Sequence, residues 1–216
     1  MPKRAALFAA LLCVPAIVSA VTISIDDFES GSLSAWQSGS HGQIVADPLR
    51  AGNHVLNFTA HGDGGDIWTA NTYAATGSDW WLSFDYLGRP DGPGPRNFTD
   101  SGGFIGWDND QNNAGVERWL AGTQPTGLPL GSLVLTDDVQ WHHYVLHLVR
   151  GVNLIDGPVY FKAEDWLFSD AAVGNAFFDN IVITDVNPQG VPVPEPGTLL
   201  LLATGFGLIV TRRVRR

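Results

Sequence analysis

Trp81-Leu82-Ser83-Phe84-Asp85-Tyr86 alternates large apolar side chains with small or charged ones over residues 81–86. A period of two is that of a β-strand. It predicts Leu82, Phe84 and Tyr86 on a core face and Ser83 and Asp85 toward water. Working outward, further runs of β-branched and aromatic residues predict strands at 21–25, 54–59, 80–87, 103–107, 141–149, 159–163 and 177–184. Gly, Asp, Asn and Pro separate them at fairly regular intervals, the pattern of a sandwich or barrel. In 141–149, Tyr144, Leu146 and Leu148 share one face. Phe178, Ile181 and Ile183 do not follow a single alternation, which predicts a bulge near Asn180. Before Gly197 no segment longer than ten residues carries apolar positions at helical spacing. The long polar stretches 88–101 and 107–115 read as loops, where binding sites concentrate.

The 216 residues suffice for one domain of ordinary size. An apolar content of 44% with eight Trp and eleven Phe supplies a core and argues against disorder. Residues 21–190 carry six Lys plus Arg against twenty-one Asp plus Glu, a net charge of −15. Nucleic acid is therefore excluded as a partner, because binding it relies on neutralising phosphates with basic side chains, and a neutral or cationic partner fits better. The single cysteine, Cys13, lies in the first twenty residues, so disulfides cannot staple the domain.

Both ends carry addresses. Lys3 and Arg4, the apolar run 5–18 and Val18-Ser19-Ala20 form the three parts of a signal peptide, with cleavage expected after Ala20. At the other end Val193-Pro194-Glu195-Pro196 must be extended, since each proline fixes its own φ and restricts its predecessor. An uncharged apolar helix is predicted over 197–211, followed by Arg212, Arg213, Arg215 and Arg216. Fifteen residues at ~1.5 Å each reach roughly 22 Å, a marginal membrane anchor whose arginines stay cytoplasmic and leave the domain outside. The expected organisation is a signal peptide at 1–20, a β-sandwich at 21–187, a Pro-rich linker at 188–196, a transmembrane helix at 197–211 and a basic tail at 212–216.

Val193-Pro194-Glu195-Pro196, an apolar helix and a terminal arginine cluster resemble the PEP-CTERM sorting signal of Gram-negative bacteria. The resemblance implies recognition by an exosortase, a membrane protease that cuts near the motif. It further implies delivery to the cell surface or extracellular matrix in a setting of exopolysaccharide and biofilm. Within the domain, Asp27-Phe28-Glu29-Ser30-Gly31 with Trp36, and Phe178-Asp179-Asn180-Ile181-Val182-Ile183, are similar to the opening and closing strands of jelly-roll carbohydrate-binding modules. Residues 159–183, with Lys162-Ala163-Glu164, also resemble laminin IV-type modules. The implied fold is a galactose-binding-like jelly roll. The resemblance implies a structural Ca²⁺ held by Glu29 and Asp179, with Asp27 as a third ligand. A divalent ion would also relieve self-repulsion in a strongly acidic domain.

Other candidate chemistry is weaker. Asp108-Asn109-Asp110 with Asn112 lacks the later Gly and Glu of an EF-hand loop and reads as a turn. His143 and His147 would stand ~13 Å apart on a strand, too far to share one zinc ion. Neither a Gly-x-Ser-x-Gly elbow nor a His-Glu-x-x-His helix occurs. Glu117 and Glu164 are the domain's glutamates after Glu29 and are expected at exposed strand ends. Trp81, Trp107 and Trp119, and with them Trp166, are candidates for stacking on sugar rings, against the alternative of core packing. The expectation is a non-enzymatic surface or matrix protein with an adhesive or carbohydrate-binding domain. A polysaccharide-active enzyme and a structural component without ligand are the alternatives.

Overall fold

A computed structural model describes residues 21–37, 41–59, 65–75, 77, 79–89, 102–112, 115–123, 132–166 and 174–188. The expected signal peptide, Pro-rich linker, sorting motif, apolar helix and arginine tail lie outside the described residues.

Among the described residues eleven strands make two sheets. They are β1 (Thr22–Asp26), β2 (Gly42–Ala46), β3 (His54–Phe58), β4 (Gly65–Trp68), β5 (Asp79–Gly88), β6 (Gly102–Asp108), β7 (Glu117–Gly122), β8 (Leu133–Val134), β9 (His142–Val149), β10 (Tyr160–Trp166) and β11 (Ala176–Thr184). One sheet runs β2-β3-β11-β5-β9 with β1 also against β11, and the other runs β4-β10-β6-β7-β8. All pairings are antiparallel except β7 with β8. Among the described residues there is no helix, and the protein is all-β.

The seven expected strands are present, with ends shifted by at most three residues. β2, β4, β7 and β8 were not foreseen. They are short, and Gly42, Gly65 and Gly122 sit at their ends, which weakens any pattern a strand leaves in sequence. On β5, Leu82, Phe84 and Tyr86 are fully buried as alternation demands. Ser83 is not at the water face as expected: it is buried between β11 and β9, because β5 is an interior strand. The predicted bulge exists. The β11–β5 register slips between Asp179 and Val182, and Asn180 takes φ +50°, a left-handed conformation that Asn tolerates.

The core lies between the sheets. Phe178 is its aromatic hub, with Tyr86 at 5.1 Å, Phe84 at 6.1 Å and Phe58 at 6.2 Å between ring centroids. The other sheet contributes Ile67, Ile105, Trp107, Phe161 and Ala163. Each such large side chain contributes roughly 1.5–3 kcal/mol when removed from water. The opening segment closes one end of this core. Phe28 is fully buried and stacks on Trp36 at 5.9 Å, while the Trp36 indole N–H donates to Asp26 Oδ2 at 2.9 Å. First and last strands are paired, Thr22 opposite Thr184.

Candidate functional site

The five-stranded sheet has an outer face that is not a simple solvated one. In β10, Phe161 and Ala163 enter the core, so Lys162 and Glu164 must point away from it. By the same alternation β4 turns Asp66 and Trp68 outward around inward Ile67, and β6 turns Phe104 outward beside inward Ile105. Register brings these residues together: Lys162 lies opposite Trp68 on one side and Gly106 on the other, and Glu164 lies between Asp66 and Phe104. The β6–β7 register shift between Ile105 and Gly106 sets Trp119 opposite Gly106. A side chain at Gly106 would collide with the Arg118 carbonyl, so only glycine permits that close approach.

Lys162 is the centre of the face. Its side chain is fully buried, its Nζ lies 3.8 Å from the centroid of the Trp119 ring, and it forms an ion pair with Glu117 of β7. Phe104 packs on Trp119 with 5.6 Å between centroids. Trp68 donates its indole N–H to Asp108 Oδ2 at 3.2 Å. Glu164 is 2% exposed, and burial, followed by the charge of neighbouring Asp66, pushes its pKa up to about 9 despite the opposing pull of Lys162. At neutral pH Glu164 therefore holds a proton and shares it with Asp66 in a side-chain hydrogen bond. The expectation that Glu164 sits at an exposed strand end is corrected, because β10 runs on to Trp166 and keeps it mid-strand.

The residues singled out from sequence separate. Trp107 is corrected: it is 2% exposed in the core and donates its indole N–H to the Asn153 carbonyl at 2.7 Å. Its polar neighbours Gly106 and Asp108 suggested exposure, but alternation from Ile105 turns Trp107 inward. Trp119 lies on the outer face, half-buried under Lys162. Trp81 stands on the opposite sheet, its ring stacked 4.8 Å from that of His147, which is held by Asp79 at 2.7 Å. Only the backbone of Trp166 is among the described residues. Trp68, Phe104 and Lys162 were not anticipated as site residues, and Asp66 was expected only as part of an acidic cluster with Asp63 inviting a metal. The signal that could have found them is the polar-apolar alternation of Tyr160-Phe161-Lys162-Ala163-Glu164, where charges occupy the face opposite Phe161 and Ala163.

The three expected metal ligands sit near one end of the six-stranded sheet. Glu29 accepts the His54 backbone N–H at 2.9 Å, Asp27 accepts that of Glu29 at 3.2 Å, and Asp179 accepts the Asn53 amide and the Asn180 N–H at 2.9 and 2.8 Å. Burial pushes the pKa of Asp179 up, against those hydrogen bonds. Among the described residues no three His, Cys, Asp or Glu side chains gather closely enough to hold a metal by themselves. The acidic stretch after β6 is a turn: Asp108 and Asp110 accept the backbone N–H groups of Asp110 and Asn112 at 3.1 and 3.2 Å. His142, His143 and His147 each pair with a different aspartate, Asp138, Asp85 and Asp79.

Residues 192–216 match the PEP-CTERM protein-sorting motif. No curated protein matches the chain in sequence. Among solved structures, it is similar to the C-terminal CBM6 of LamC, a laminarinase from Zobellia galactanivorans, at 11% identity over 77% of this chain and 100% of that one, with a TM-score of 0.39. It is also similar to CBM27-1 of Caldicellulosiruptor saccharolyticus in complex with mannohexaose, at 12% identity over 76% and 96%, with a TM-score of 0.42. The tandem CBM22-1–CBM22-2 domain of Paenibacillus barcinonensis Xyn10C gives 16% identity over 82% of this chain and 52% of that one, with a TM-score of 0.46.

Proposed function

We propose that this is an exported, exosortase-processed protein whose sandwich, a jelly roll, binds polysaccharide on the outer face of its five-stranded sheet without cleaving it. The observation that carries the binding reading is the gathering of Trp68, Phe104 and Trp119 with Lys162, Asp66 and Glu164 on one sheet face outside the core. Sugar rings present apolar C–H faces and polar rims, and on this face the partly exposed Trp68 and Trp119 supply aromatic surface, with Lys162, Glu164, Asp66 and Phe104 buried beside them. Stability does not account for it. Burying the Lys162 ammonium and the Asp66 carboxylate costs several kcal/mol per ion and is at best roughly offset by their attraction, so apolar residues would serve a purely structural face as well or better. Perturbed, desolvated ionisable groups of this kind concentrate at functional sites.

Binding is favoured over hydrolysis by the pairing of Glu164 directly opposite Asp66. The two carboxyl groups share a proton, whereas glycosidases hold theirs roughly 5–5.5 or 6.5–9.5 Å apart to leave room for the sugar. The sorting motif supports the rest: passage through a membrane-anchored intermediate, then release to the cell surface or matrix.

A glycan array probed with the whole chain tests the binding reading. Trp119→Ala should lose most of the signal at unchanged fold. If no polysaccharide binds, the domain is a structural matrix component; if one is shortened on incubation, the enzyme reading replaces this one.

We also propose a structural Ca²⁺ held by Glu29 and Asp179, with Asp27, which would have to draw together side chains that do not gather as a metal cluster in this structure. The donor chemistry fits, since all three offer hard carboxylate oxygens. Backbone carbonyls and water would complete the shell. A divalent ion would also stabilise the ionised form of Asp179, which is 1% exposed and which burial otherwise drives toward protonation.

A further inference from the structure

Basic side chains are scarce in this acidic domain, yet two arginines converge on one end of the six-stranded sheet. Phe178 and Tyr86 enter the core between the sheets, so alternation turns their neighbours Phe177 and Leu87 to the outer face. Register sets Phe177 opposite Leu87, and Trp141 stands just before His142, which lies opposite Tyr86. Phe177, Leu87 and Trp141 thus form a row across the strands, packed with Val55 and Val45. Two strand spacings place the Phe177 and Trp141 rings roughly 10 Å apart. A guanidinium covers each ring: Arg89 Cζ lies 5.0 Å from the centroid of Phe177, and Arg50 Cζ lies 5.0 Å from that of Trp141. Arg50 has Asp85 at 3.8 Å, a carboxylate shared with His143 at 2.7 Å and Asn180 at 3.0 Å. Among the described residues no carboxylate pairs with Arg89.

We infer that this end of the six-stranded sheet is a second binding site, which takes an acidic polysaccharide by donating from Arg89 to its carboxylate or sulfate oxygens, with Arg50 as a further contact. It is separate from the five-stranded face and does not depend on it. A half-buried guanidinium without a carboxylate, in a domain where acids far outnumber bases, leaves its N–H donors for an anion from outside. Guanidinium keeps its charge at any working pH and presents its donors as a planar fork that matches such groups in pairs. The seat on Phe177 holds that fork in place beforehand, so less side-chain freedom is lost on binding. The overall negative charge of the domain acts weakly here, because the Debye length at physiological ionic strength is about 8 Å and only neighbouring charges count. Those acids are Asp85, engaged as above, and Asp47 and Asp179, both buried and each accepting N–H bonds. Sites on opposite faces of the sandwich would let one chain join two polysaccharide strands.

The experiment titrates the whole chain with galacturonate oligomers, sulfated cello-oligosaccharides and plain cello-oligosaccharides of equal length, read by calorimetry. The expected result is binding of an acidic oligomer that weakens as salt is raised, and which of the two binds tells carboxylate from sulfate. Arg89→Met keeps an apolar stem on Phe177 while removing the charge, and should weaken that binding about tenfold or more, as loss of hydrogen bonds to a charged group does. Arg89→Lys should recover only part of it, since charge returns without the fork. Arg150→Gln, beyond the far end of β9 from Trp141, removes the same charge from the domain and should leave affinity unchanged. Failure of both acidic oligomers to bind the native chain overturns the inference, as does full affinity in Arg89→Met. An equal loss in Arg150→Gln assigns the effect to net charge and overturns it too. Acidic binding that Trp119→Ala abolishes and Arg89→Met spares belongs to the five-stranded face, which overturns the second site and leaves the polysaccharide reading standing.

Discussion

Replacing Glu164 with Gln should remove a steady loss of stability with rising pH that the native chain shows. Glu164 has a pKa of about 9 in the folded state and an ordinary value of 4.5 when exposed. Between those values the folded protein holds a proton that the unfolded chain has lost. Stability from this group is therefore complete below pH 4.5 and falls as pH rises toward about 9. One proton difference is worth a little over 1 kcal/mol per pH unit, so the native chain should lose about 3 kcal/mol between roughly pH 6 and pH 8 from this group alone. Gln has nearly the shape of the protonated acid, and its amide N–H donates to Asp66 where the acid hydroxyl did, so the variant should fold and its slope should be flatter by that amount. Urea unfolding of both proteins at several pH values, compared at constant m-value, gives the difference directly, because titration of groups remote from Glu164 cancels in it. Parallel lines for the two proteins would refute the reasoning and mean that Glu164 is ionised in the fold.

Trp107→Ala should cost about 3–5 kcal/mol by opening the core between the sheets, lowering the melting temperature while leaving polysaccharide affinity unchanged in whatever fraction remains folded. Trp119→Ala should do the reverse, weakening sugar binding that in the millimolar to micromolar range amounts to about −4 to −8 kcal/mol, with a smaller change in melting temperature. If Ca²⁺ ties Glu29 to Asp179, thorough chelation lowers the melting temperature, and an ion at 100 times its Kd accounts for about 3 kcal/mol of that stability. Asp179→Ala should then be indifferent to chelator, whereas coincident curves for the native chain with and without chelator would remove the ion. Alanines at Pro194, Glu195 and Pro196 should leave a folded domain that stays in the membrane fraction, as read by its mass and location. Unchanged release would mean the motif is not the sorting signal.

Period-two runs were legible wherever a strand had one wet face or a long apolar run, as in β5, β9 and β11, and so was the bulge at Asn180, where Phe178 and Ile181 break step. The sorting motif was equally legible, because prolines, an uncharged stretch and terminal arginines constrain one another locally and need no partner strand. The short strands β2, β4 and β7 acquire their identity from neighbours, and local pattern carries little of them. The candidate site belongs to that second class. Trp107 and Trp119 look alike in sequence, each beside polar or glycine residues, yet the alternation set by Ile105 sends one into the core, and the register slip at Gly106 sets the other on the outer face. Likewise Asp66 and Glu164 are nearly a hundred residues apart, and only the β4–β10 register puts them face to face. Sequence by itself determined the strands and the address, because those depend on spacing along the chain. Which side chains share the outer face, and with what protonation, was decided by tertiary structure, since burial and proximity of charge arise only when distant strands pair.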